Sequence, residues 1–85
     1  MLKTKRVKIG NREYEIQELS GWGSLQLYGK EGNEQTLALL QTCVISPKIT
    51  EEFLKKEISG KELNELISEI NKINGWEKDF QSAKS

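Results

Sequence analysis

Histidine is missing altogether from this chain, and cysteine, proline and methionine occur once each. A lone Cys43 excludes a disulfide within the chain, and without histidine no His/Cys metal cluster can form. General acid–base chemistry near neutral pH also loses its usual carrier, leaving only carboxylates moved off their ordinary pKa. No sign of charge prevails, because 13 basic and 13 acidic residues cancel to a formal net charge of zero. That balance argues against a surface given over to nucleic acid or anionic lipid. No apolar run approaches the ~20 residues that span a bilayer. The opening MLKTKRVKIG is positively charged but lacks the apolar stretch of a signal peptide. The expectation is a soluble, cytoplasmic protein.

What remains is a chain of 85 residues, 35% hydrophobic and 31% charged, enough for one small domain. A domain of this size buries only about 60% of its unfolded surface, so each apolar contact weighs heavily. The reading is a single domain over 1–80, with a β-hairpin at 4–17, a helical body at 33–80 and a flexible tail at 81–85.

Residues 4–17 (TKRVKIGNREYEIQ) alternate polar and apolar around Gly10-Asn11, the composition of a two-residue hairpin loop of type II′ or I′. That loop pairs Ile9 with Arg12, Lys8 with Glu13, Val7 with Tyr14, Arg6 with Glu15 and Lys5 with Ile16. One face then carries Val7, Ile9, Tyr14 and Ile16, while the other sets Lys8 against Glu13 and Arg6 against Glu15. A slip of one residue would scatter both patterns. A lone hairpin is marginal in water, so its apolar face must rest on other elements.

Between 18 and 35, four glycines punctuate a cluster of Trp22, Leu25, Leu27 and Tyr28. Two readings stand: a short helix capped by Ser20 and ended by Gly29, or a third strand at 25–28. Residues 33–45 read as a buried helix with Asn33 as its cap and Leu37, Leu40 and Val44 as its stripe, ended by Ser46-Pro47. Thr50 caps a short helix over TEEFLKKEI, with Glu51 and Glu52 favourably placed for its dipole. Ser59-x-x-Glu62 is a capping box opening a longer helix. Its stripe is Leu63, Leu66, Ile67, Ile70 and Ile73, its polar face Glu62, Glu65, Glu69 and Lys72, and its end Asn74-Gly75. Trp76 and Phe80 lie four apart, as on a last helical turn. The fold class expected is α+β, an N-terminal β-hairpin packed on a bundle of three or four short helices.

Catalysis has little to stand on. The carboxylates occupy helix starts and polar faces, Cys43 reads as a small buried hydrophobe, and Gly21-x-Gly23 lacks the setting of a dinucleotide site. The chain reads as a non-enzyme with no cofactor. A nucleic-acid-binding regulator is the alternative, because residues 1–16 carry five basic and two acidic side chains beside two helices at 50–57 and 59–73. The second of those helices would, however, present Glu62, Glu65 and Glu69 to phosphates. Partner binding draws on the aromatics. Trp22 and Tyr28 read as completing the core, while Trp76 and Phe80 fit a core or an interface equally.

Across 37–70, the run Leu37-Ala38-Leu39-Leu40, Cys43-Val44-Ile45-Ser46-Pro47, Lys48-Ile49-Thr50-Glu51-Glu52 and Leu63-x-x-Leu66-Ile67-x-x-Ile70 resembles the tail assembly chaperones of long-tailed bacteriophages and phage-like elements. A leading β segment, such as 5–17 here, belongs to that pattern; the brief, glycine-rich 20–33 departs from it. The resemblance implies a non-enzymatic protein of the bacterial host's cytoplasm. Its partners would be the tape measure protein or tail-tube subunits, with self-association as a further possibility. Many such chaperones have a longer form made by ribosomal frameshifting, and the short polar end QSAKS is compatible with a short form. An apolar groove between short helices would serve that role. The residues read as lining it are Leu37, Phe53, Leu54, Trp76 and Phe80.

Overall fold

Two strands meeting at Gly10-Asn11 begin the structure, a computed structural model that describes residues 1–76. Strand β1 (Thr4–Ile9) pairs antiparallel with β2 (Arg12–Gln17), and every partner from Lys5↔Ile16 to Ile9↔Arg12 is the one the alternation predicts. Gly10 has φ +62° and Asn11 does not share its positive φ, which identifies a type II′ turn. A Cβ at Gly10 would also collide with the Glu62 carboxylate. The ion pair on the outer face runs diagonally, Arg6 to Glu13 at 3.9 Å, although Arg6 stands directly opposite Glu15.

The glycine-rich stretch forms a helix, α1 (Gly21–Leu27), in which the Ser20 hydroxyl accepts from the Gly23 N–H at 2.8 Å. The alternative third strand at 25–28 does not form. Helix α2 (Asn33–Cys43) follows, with Gly32 rather than Asn33 at its N-cap and no side-chain cap bond. It ends earlier than expected. Residues Val44–Ser46 form a third strand, β3, antiparallel to β2, giving the sheet order β1-β2-β3. The backbone edge of β2 needs partners, Val44 and Ile45 are β-branched, and Pro47 bars Ser46 from helical geometry. The register shifts between Glu15 and Ile16, which leaves Ile45 as the bulged residue and exposes it.

Helix α3 (Glu51–Lys56) is capped by Thr50 Oγ1, which accepts from the Phe53 N–H at 3.1 Å. Helix α4 (Gly60–Ile73) opens with the full capping box: Glu62 N–H donates to Ser59 Oγ at 3.1 Å, and Ser59 N–H to Glu62 Oε1 at 3.0 Å. At its other end Asn74 Nδ2 donates to the Ile70 carbonyl at 2.9 Å, and Asn74 Oδ1 accepts from the Leu19 N–H at 2.9 Å. One side chain thus finishes α4 and ties it to the segment leading into α1.

The result is an α+β fold, a three-stranded antiparallel sheet with four helices among the described residues. One apolar core joins the hairpin's inner face (Val7, Ile9, Tyr14, Ile16) to Leu40, Cys43, Val44, Ile49, Phe53, Leu66 and Ile70. Leu63, Ile67 and Ile73 pack at its edge, so the stripe read from the spacing faces inward as a whole. No helix among the described residues is long and apolar enough to cross a membrane.

Leu66 is fully buried at the centre of this core. Leu66→Ala is expected to lower stability by roughly 2–5 kcal/mol, and Ser59→Ala by about 1 kcal/mol through loss of the cap. Urea unfolding followed by circular dichroism measures both. An unchanged midpoint for Leu66→Ala would mean that the stripe faces away from the sheet.

Candidate protein-binding groove

Helices α2, α3 and α4 do not close on one another completely. Between them lies a mainly apolar groove of about 330 Å³, floored by Leu37, Leu40, Leu54 and Leu63. Its rim is polar, with Glu34 and Thr36 on α2 and Glu51 and Lys55 on α3. The geometry follows from α3 being short and firmly capped. Phe53 points into the core, so its neighbour Leu54 is turned aside into the groove and stays half-buried. Leu37 sits one turn before the fully buried Leu40 on α2 and is likewise half-buried.

Of the five residues read as groove-lining, the structure brings Leu37 and Leu54 together. Phe53 is not with them. It is only 8% exposed, meets Tyr14 edge-on at 6.4 Å between centroids, and lies beneath the Arg12 guanidinium at 4.9 Å. An aromatic ring at the hairpin–helix junction completes the core more effectively than it could line a surface. Trp76 is 42% exposed and borders a separate hollow of about 250 Å³ with Leu27, Gln35 and Leu39. Thr36 lines both hollows, so they adjoin across α2. Phe80 and the tail 81–85 lie outside the described residues. Leu40 and Leu63 were legible only as core positions, and their part in the groove floor follows from how far apart the helices stand.

Trp22 and Tyr28, expected in the core, are instead 72% and 73% exposed. The cause is Gly23. It is buried where α1 meets α2, and a Cβ there would lie 3.2 Å from Thr42 Cβ and 2.9 Å from Leu19 Cδ1. Gly23 and Leu27, one turn apart, form the side of α1 turned toward α2, and the aromatics go out.

The basic hairpin is engaged within the molecule. Lys5 Nζ bonds Glu69 of α4 at 3.2 Å, and Arg12 bonds Glu57 at the end of α3 at 3.0 Å. Exposed pairs of this sort contribute about 0–1 kcal/mol each. They nevertheless set the positive strand against the acidic helices. A polar hollow of about 350 Å³ lies over this contact, walled by Arg12, Tyr14, Glu57 and Glu62. Among the described residues no group of three or more His, Cys, Asp or Glu is placed to hold a metal ion.

Among the described residues, Cys43 and Tyr14 titrate away from their ordinary values. Burial pushes the Cys43 thiol up, against weaker opposing bonds from Thr42 and Asn74. Burial also raises Tyr14, with Arg12 opposing and Glu62 adding to the rise. Each group loses its proton more readily unfolded than folded. The stability they contribute is therefore complete below the unfolded pKa values, about 8.5 and 10, and declines as pH climbs through the folded ones. Melting temperature is expected to be flat from pH 7 to 8 and to fall above about pH 9. In the native protein Cys43 should react with a thiol reagent far more slowly than in urea. Equal rates in the two conditions would contradict its burial.

Comparison of the chain with protein-family models, with curated proteins and with solved structures finds no match. What the chain binds is therefore argued from its own surface.

Proposed function

We propose that this protein is a phage tail assembly chaperone-like protein that acts by binding, without catalysis, on the tape measure protein or tail-tube subunits. The observation that carries the reading is the leucine-floored groove between α2, α3 and α4, open to solvent and rimmed by polar groups. A groove of this kind takes the apolar face of an amphipathic helix, whose anchors recur every three or four residues. Such a client, long and largely helical, needs its apolar stripe covered until it assembles. The polar rim suits reversible holding, because Glu34, Glu51 and Lys55 remain solvated beside the apolar floor.

The resemblance in residues 37–70 supports the same reading, since that stretch supplies every leucine of the groove floor. The regulator alternative is weakened by the Lys5–Glu69 and Arg12–Glu57 pairs, which already occupy part of the hairpin's positive charge. DNA would have to compete with carboxylates for those side chains.

Leu54→Asp places a charge on the groove floor, where Leu54 is half-buried and packs against the edge of the core. Its expected effect is at least a tenfold loss of client capture, with a lowered melting temperature but an unchanged circular dichroism spectrum at the assay temperature. The measurement is a pull-down from a lysate containing the protein's native neighbours, with mass-spectrometric identification and a parallel duplex-DNA arm at low salt. Recovery of a long helical protein or a tail-tube subunit by wild type, and its loss with Leu54→Asp, is the expected outcome. DNA retention that fades steeply with salt, with no protein recovered, would overturn the proposal.

A further inference from the structure

The outward face of α1 is a second surface, separate from the groove, which no residue of α1 lines. Trp22, Leu25 and Tyr28 stand at successive three-residue steps, so they share one face, and their exposures are 72%, 53% and 73%. Together they show solvent on the order of 400 Å² of mainly apolar surface. A contiguous patch of that size on a small domain marks a contact site. The small inward residue, Gly23 against Thr42, leaves α1 no way to rotate this face into its own core.

We infer that this face pairs with the same face of a second copy of the chain, across a two-fold axis near Leu25. Charge is the first argument. In a two-fold contact each residue near the axis meets its own kind, so any charge there faces like charge. Residues 19–29 hold no charged side chain, in a chain where 31% of residues are charged. Glu18 and Lys30 flank that stretch, and Lys30 Nζ donates back to the Gln26 carbonyl at 2.7 Å, at the C-terminal rim of the face rather than at its centre. Area is the second argument. Two copies in contact remove about 800 Å² from these side chains and somewhat more from the rim, the range of a weak, reversible homodimer rather than an obligate one. A monomer that is stable alone and pairs on concentration fits this, because the core described above is complete without a partner.

Sedimentation equilibrium of the full chain tests the inference. The expected average mass rises from 9.7 kDa toward twice that as concentration increases, with a dissociation constant on the order of 100 µM. Leu25→Glu and Leu25→Lys should each weaken pairing by at least about tenfold, since each sets like charges at the axis. An equimolar mixture of the two should restore pairing, because each then faces its opposite. That restoration cannot come from misfolded chains, so it separates a lost contact from a lost fold. Trp22→Ser is a second variant of the same face, expected to be monomeric with an unchanged circular dichroism spectrum. Leu54→Asp should pair as wild type does, which keeps this result independent of the groove. A mass fixed at one copy up to about 1 mM, wild-type pairing by either charged variant, or a mixture that stays monomeric would overturn the inference. So would a monomer that sediments with phosphatidylcholine vesicles, which would assign the face to lipid.

Discussion

A two-stranded ribbon does not hold itself together in water, and the inner face of this one is closed by a single helix stripe. Val7, Ile9, Tyr14 and Ile16 have only one side on which to find cover, and Leu66 and Ile70 of α4 are central to it. The remaining elements are arranged around that contact. Helix α2 brings Leu40 and Cys43 to its flank, β3 extends the sheet with Val44, and α3 seals the hairpin end with Phe53 under Arg12. Ile16, Leu40, Cys43, Leu66 and Ile70 are almost wholly out of solvent. In a domain that buries so little in total, this contact carries a large share of the stability.

The same economy explains the surface. Four helices of between six and fourteen residues cannot all pack fully against one small sheet. Helix α4 packs on β1 and β2, whereas α2 reaches the sheet through β3 and α3 through Phe53 against Tyr14. The space left between them is the leucine-floored groove. Helix α1, seven residues long, docks through Gly23 and has its aromatic side left over. Two exposed apolar surfaces, the groove and the outer side of α1, therefore arise from one cause.

Polar side chains act here as connectors between elements. Asn74 joins the end of α4 to Leu19, Gln17 Nε2 donates to the Thr42 carbonyl at 3.1 Å, and Gln41 Nε2 to the Ile49 carbonyl at 3.3 Å. Each satisfies a backbone group at a junction between elements, where neither helix nor sheet supplies a partner. The Gln41–Ile49 bond ties α2 to the segment leading into α3, two of the elements that wall the groove.

Features set by neighbours along the chain were legible in the sequence. The hairpin register followed from period-two alternation and one Gly-Asn loop, the Thr50 and Ser59 caps from hydroxyls placed three residues before the backbone N–H groups that donate to them, and the α4 stripe from spacing alone. Each depends on contacts within a few residues or on a single turn, so it can be read locally. The tertiary structure decided the rest. Val44–Ser46 became a strand because the edge of β2 lay beside it, Phe53 turned inward because Tyr14 and Arg12 were there to receive it, and Trp22 and Tyr28 turned outward because Gly23 had to meet Thr42. In each case the deciding partner lies about twenty to forty residues away. Hydrophobicity alone told which residues seek cover, and only the assembled chain determined which of them found it.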